Sequence, residues 1–114
     1  MRYFIVAGEA SGDLHASNLV RALKEHDPEA VFAFMGGDFL SEATGERPIF
    51  HYREVAFMGF IPVLAHLGVI RRAGEHVQEQ MRAFNPDVVI AVDHPGFNMR
   101  YVLPFVREEL GKPI

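Results

Sequence analysis

Three short stretches concentrate the residues able to do chemistry: "GEASGD" at 8–13, "GGD" at 36–38 and "DHPGFN" at 93–98. Each combines glycine with aspartate. Glycine lets the backbone turn tightly or approach a ligand closely, whereas a carboxylate can cap a helix, bind a hydroxyl or accept a proton. In the first stretch Gly8 and Gly12 bracket Glu9 and Ser11, and Asp13 follows; Gly37 and Asp38 close the second; Asp93 opens the third, which ends at Asn98. Asp13 and Asp38 stand where helices are expected to begin, so capping competes with ligand binding at both. Asp93 differs, because Pro95 delays the next helix and leaves the carboxylate at a strand tip. There it becomes a general base if its surroundings raise its proton affinity toward the working pH.

The opening stretch does not spell a phosphate loop. A dinucleotide fingerprint needs G-x-G-x-x-G and a Walker loop needs G-x-x-x-x-G-K-[ST], and Glu9 and Asp13 would repel a phosphate set between them. The stretch reads better as a wall meeting a neutral, hydroxyl-bearing part of a substrate. His15, His94, Asp13 and Asp93 lack the spacing of a metal site, so no metal is expected. His26, His51, His66 and His76 carry no signal beyond composition.

These stretches must be held by the elements around them. "RYFIVAG" and "AVFAFMGG" are short apolar runs ending in glycine, as strands buried on both faces of a parallel sheet should be. "VVIAVD" is the clearest strand, and Ile49 to Tyr52 is a candidate for another. Leu14, Leu19, Val20 and Leu23 recur near helical spacing, which predicts a helix from Gly12 to His26. A short helix is expected over "DFLSEAT", capped by Asp38 and stopped at Gly45, and an amphipathic helix after Arg71 and Arg72 that ends at "NPD". Beyond "DHPGFN" a further helix is expected, interrupted at Pro104 and closed by Gly111. Strand and helix alternate, which predicts an α/β fold: a parallel sheet with flanking helices, Rossmann-like. In such sheets ligands bind beyond the carboxyl ends of the strands, where all three stretches lie.

A net charge of −4 in 114 residues, with no more than two consecutive basic residues, excludes an electrostatic footprint for nucleic acid. There are no cysteines, hence no disulfide framework or thiolate metal site. The run from Val55 to Ile70 is 16 residues long and contains Gly59, Pro62 and His66. That is shorter than the roughly 20 residues a spanning helix needs. It reads either as a core segment or as an apolar surface dipping into a membrane interface, with Arg71 and Arg72 meeting lipid phosphates. The closing "REELGKPI" looks like a helix giving way to a new strand, so a longer protein is expected to continue from it.

"GEASGDLHAS", "FMGGD", "FMGF" followed by "VL", "NPDVVIAVDHPGFN" and "GKPI" together resemble, in order and spacing, the amino-terminal part of the bacterial lipid-A-disaccharide synthases. The resemblance covers essentially the whole chain. It departs at Pro62, where the family commonly has an acidic residue before "VL", so that position inherits no role. The resemblance implies a two-domain, twin-Rossmann (GT-B) inverting glycosyltransferase, with residues 1–114 the first part of the amino-terminal, acceptor-side domain and the nucleotide-sugar domain absent. It implies transfer of diacylglucosamine from its UDP-linked donor to the 6-hydroxyl of diacylglucosamine 1-phosphate, without a cofactor, by a cytoplasmic protein peripheral on the inner face of the cytoplasmic membrane. Carried onto this sequence, Asp93 becomes the candidate base. Ser11, Asp13 and Asn98 line the acceptor side, with Gly8, Glu9, Gly12, Gly37 and Asp38 around them. Met58, Phe60, Val63, Leu64 and Leu67 become candidates for acyl-chain or membrane contact beside Arg71 and Arg72. A fragment of this kind is expected to be inactive alone. The competing readings are a stand-alone flavodoxin-like module for a small phosphorylated ligand and a related sugar-nucleotide enzyme such as a 2-epimerase.

Overall fold

The computed structural model of the chain describes residues 1–8, 10–51, 63–92 and 102–111. Four strands, β1 (Arg2–Ala7), β2 (Val31–Gly36), β3 (Phe50–His51) and β4 (Val88–Val92), form one sheet in the order β3-β2-β1-β4. Every pairing is parallel, with Phe4 of β1 in register with Ala33 on β2 and Val89 on β4. The third strand expected at Ile49 to Tyr52 is the two-residue β3, which extends the sheet beside β2; Tyr52 lies outside the described residues.

The apolar strand runs are explained by burial on both sides. Side chains alternate across a strand. Phe4, Val6, Met35 and Val89 therefore face one cluster, with Val77 and Met81 of helix α3 (Val63–Phe84) and with Val102, Phe105 and Val106 near the end of the chain. Tyr3, Ile5, Ala7, Phe32 and Phe34 face the other, against Ala16 and Val20 of α1 (Ala10–His26) and Leu40 and Ala43 of α2 (Asp38–Thr44). The result is a sheet with helices on both faces.

Several boundaries differ from the sequence reading. Helix α1 begins two residues earlier than expected, at Ala10, and buries Gly12, Asp13, Ala16, Ser17 and Val20. Leu14 and Leu19, expected on the apolar face, are instead exposed. Small residues on the inner stripe bring the helix close to the sheet, and the leucines occupy the outer side. The amphipathic helix expected only after Arg72 is the continuation of α3, which already starts at Val63. Only glycines, at 68 and 74, interrupt the helix formers of this segment, and glycine inside a helix costs only about 1 kcal/mol. Asn85 ends α3 with φ 52°, its N–H donating to the Met81 carbonyl at 3.1 Å, before Pro86. Pro104 lies in the first turn of α4 (Leu103–Phe105), where its missing N–H is harmless. Wider π-helical turns continue from Val106 to Leu110 and stop at Gly111, φ 62°. No helix among the described residues is long and apolar enough to cross a membrane.

Candidate functional site

Because the strands are parallel, Ala7, Gly36, His51 and Val92 end at one edge of the sheet, and α1 and α2 both start there. The three glycine-aspartate stretches therefore leave the same edge. Gly12 is not in a turn, as expected, but in the first turn of α1. A Cβ added there would stand 3.4 Å from Val92 Cγ1, 3.6 Å from the Val92 carbonyl oxygen and 3.7 Å from Ala7 Cβ. Glycine thus serves the close approach of α1 to the tips of β1 and β4. Gly8 is buried directly after β1, and Ser11 is exposed at the start of α1.

Asp13 points inward, with 1% of its surface exposed. Its Oδ1 accepts hydrogen bonds from the Gly37 N–H at 2.8 Å and the Leu40 N–H at 3.1 Å, and its Oδ2 accepts from the Phe39 N–H at 2.9 Å. The carboxylate therefore caps a helix, but it caps α2 rather than its own. The reason is local. Gly37 holds the N-cap position of α2 in an extended conformation and has no side chain to offer the open amides. Asp38, expected as that cap, is the first helical residue, and its side chain is 73% exposed. Its Oδ1 lies 3.3 Å from Nε2 of His51 at the tip of β3, an ion pair when the imidazole is protonated. His51 carried no signal in the sequence. Its place follows once the segment is seen as a strand parallel to β2, whose tip must lie beside the β2–α2 turn.

Gly36 completes the edge. A Cβ built on it would come 2.6 Å from Leu40 Cδ1, 3.1 Å from Phe34 Cδ2 and 3.2 Å from Asp13 Oδ1. The sequence marks Gly36 as a strand end and Gly37 as a binding candidate; the fit of Gly36 against Leu40 and Asp13 is visible only in the structure.

Glu9, Met58, Phe60, Pro62, Asp93, His94 and Asn98 lie outside the described residues, as does the "DHPGFN" loop as a whole. The stretch of chain entering that loop is fixed, since Val92 packs on Gly12. Val63, Leu64 and Leu67 fall in the first turns of α3. Arg71 and Arg72 follow on the same helix and are exposed, Arg71 Nε lying 3.1 Å from Glu75 Oε1. Among the described residues, no group of three or more histidine, aspartate or glutamate side chains is placed to hold a metal ion.

Charge is handled differently at the opposite edge. There the amino-terminal ammonium binds Asp27 Oδ2 at 2.8 Å and holds its carboxyl below the usual range. Burial, reinforced by the nearby Asp27 carboxylate, raises the pKa of the Tyr3 hydroxyl above its ordinary value. The Arg2 guanidinium donates to the Phe84 carbonyl at 2.6 and 2.9 Å, anchoring the end of α3. Cation at the carboxyl end of a helix is the favourable arrangement. These contacts secure the base of the sheet, opposite the strand tips.

The family model described as lipid-A-disaccharide synthetase matches residues 3–112. The chain belongs to that family. Among curated relatives, the lipid-A-disaccharide synthase of Geobacter sulfurreducens is 44% identical over 98 residues, covering 86% of this chain and 25% of the relative. That of Geobacter metallireducens is 43% identical over 98 residues, with the same coverage. The enzyme of Myxococcus xanthus is 41% identical over 113 residues, covering 99% of this chain and 29% of its own length. The chain thus spans about a quarter of the curated relatives it matches. The parallel α/β architecture agrees with the Rossmann-like fold expected for the family.

Proposed function

We propose that the chain is the acceptor-side part of a lipid A glycosyltransferase, an inverting enzyme whose nucleotide-sugar domain lies outside these residues. The observation that carries this reading is the family match across residues 3–112. It lends no support to a stand-alone binding module or an epimerase. In the reaction, the 6-hydroxyl oxygen of diacylglucosamine 1-phosphate attacks the anomeric carbon of UDP-diacylglucosamine. The new carbon–oxygen bond forms as the bond to UDP breaks, UDP leaves with the bonding pair, and the hydroxyl proton passes to a base.

Asp93 is assigned as that base. It follows Val92, the last residue of β4, whose side chain lies against Gly12 in the first turn of α1. Ser11, Gly37, Asp38 and Asn98, with Gly8, Glu9 and Gly12, are assigned to the acceptor-side wall, and Asp13, buried behind it, supports the Gly37–Asp38 turn. Both substrates are acylated, which supports a peripheral place on the inner face of the cytoplasmic membrane. Met58, Phe60, Val63, Leu64 and Leu67 then meet acyl chains or lipid, and the exposed Arg71 and Arg72 meet phosphates.

The test is Asp93→Asn in the full-length protein. Loss of a general base lowers turnover by about 10²- to 10⁴-fold. Folding and UDP binding should hold. Near-normal turnover removes Asp93 from the role, and robust transfer by residues 1–114 alone would sink the two-domain reading.

A further inference from the structure

Burying a carboxylate is costly unless every charge-bearing oxygen finds a donor, so a residue with 1% exposure and three backbone partners has been committed to one task. We infer that Asp13 is a positioning residue of the transfer cleft: it locks the Gly37–Asp38 turn onto the first turn of α1 and acts on the substrates only through that turn. The inference rests on the reading of this chain as the acceptor side of a glycosyltransferase.

Three observations carry it. The donors come from residues 24 to 27 positions away, so the contact ties the first turn of α1 to the first turn of α2. The space is cut to fit the carboxylate, since a Cβ on Gly36 would press to 3.2 Å from Oδ1. Finally, Ser11 and Gly12 share a helical turn with Asp13, and Gly12 packs on Val92, the residue before Asp93. One carboxylate thereby ties together the helix starts that follow β1 and β2, and its own turn lies against the exit of β4.

The arrangement demands acceptors at both oxygens. An asparagine offers one, and directs its amide hydrogens at a backbone N–H that needs an acceptor. Asp13→Asn in the full-length protein should therefore speed amide exchange at residues 37–40 by about ten- to hundred-fold, the loss expected when a charged acceptor is removed. Exchange in β1 and β2 should stay near that of the parent. Turnover should fall by about ten-fold or more, because small displacements of positioning groups carry large rate costs. Asp13→Glu, which keeps both acceptor oxygens, should restore part of both losses. It also supplies the same readouts if the asparagine variant does not fold.

Two results overturn the inference. Faster exchange at 37–40 with unchanged kcat and KM makes Asp13 structural only. A raised KM for the acceptor with unchanged exchange makes it a direct substrate ligand. A full-length parent that forms no disaccharide overturns instead the reading of function on which the inference rests, and the parent assay run alongside separates that outcome.

Discussion

Gly36→Ala probes the packing of the strand tips most directly. The added methyl would lie 2.6 Å from Leu40 Cδ1, closer than real carbon contacts allow, with Phe34 Cδ2 at 3.1 Å and Asp13 Oδ1 at 3.2 Å. Leu40 and Phe34 are both fully buried, and Asp13 is pinned by three amides, so the strain has no cheap release. Overpacking of this kind costs about 1–3 kcal/mol. Gly36 lies in a strand, where alanine recovers about 0.5–1 kcal/mol of backbone entropy. The net expectation is a destabilisation of about 1–2 kcal/mol. The decisive comparison is with Leu40→Ala, which removes the Cδ1 that the new methyl strikes. On that background Gly36→Ala should be close to neutral, so the cycle should return a coupling of about 1–2 kcal/mol in favour of the double variant. Amide exchange in β1 and β2, which reads roughly five-fold per kcal/mol, measures each corner. Equal costs for Gly36→Ala in the two backgrounds would refute the steric reasoning.

Two other predictions concern surfaces away from the strand tips. Replacing Arg71 and Arg72 together by glutamine should weaken partition onto anionic phospholipid vesicles by about 30-fold, at about 1 kcal/mol per basic residue near the surface; unchanged partition would end their assignment to lipid. The Tyr3–Asp27 pair should give stability a pH dependence at both extremes. Asp27 has a depressed folded-state pKa, so its contribution is present above its unfolded value near 3.8 and is lost as pH falls through the folded one. Tyr3 has a raised pKa, so its contribution is present below pH 10 and is lost as pH rises through the folded value. Acid and alkaline unfolding of Asp27→Asn and Tyr3→Phe should lack the respective slopes, and parent-like profiles in both variants would contradict this.

Much of the fold was written in local pattern. Apolar runs ending at glycine mark β1 and β2, the positive φ of Gly45 and Gly111 closes helices where the sequence predicts, and Asn85 with Pro86 stops α3. Each signal lies within a few residues of its effect. Local pattern misleads where the cause is distant in the chain. Leu14 and Leu19 have helical spacing but face outward, since the inner side of α1 is set by how closely it approaches β1 and β2. Asp38 has the residue type of a cap but leaves that task to Asp13.

The sequence by itself determined an alternating α/β chain, the three glycine-aspartate stretches at the strand exits, and a family resemblance that the family match supports. Spacing and residue type suffice for these, because backbone conformation and motif spelling are properties of neighbouring residues. Only the tertiary structure decided which carboxylate holds which amide. Asp13 reaches Gly37, Phe39 and Leu40 because parallel pairing of β1 with β2 brings the start of α1 beside the start of α2. Once there, the open amides of α2 bind the nearest acceptor, and Gly37 has no side chain with which to compete.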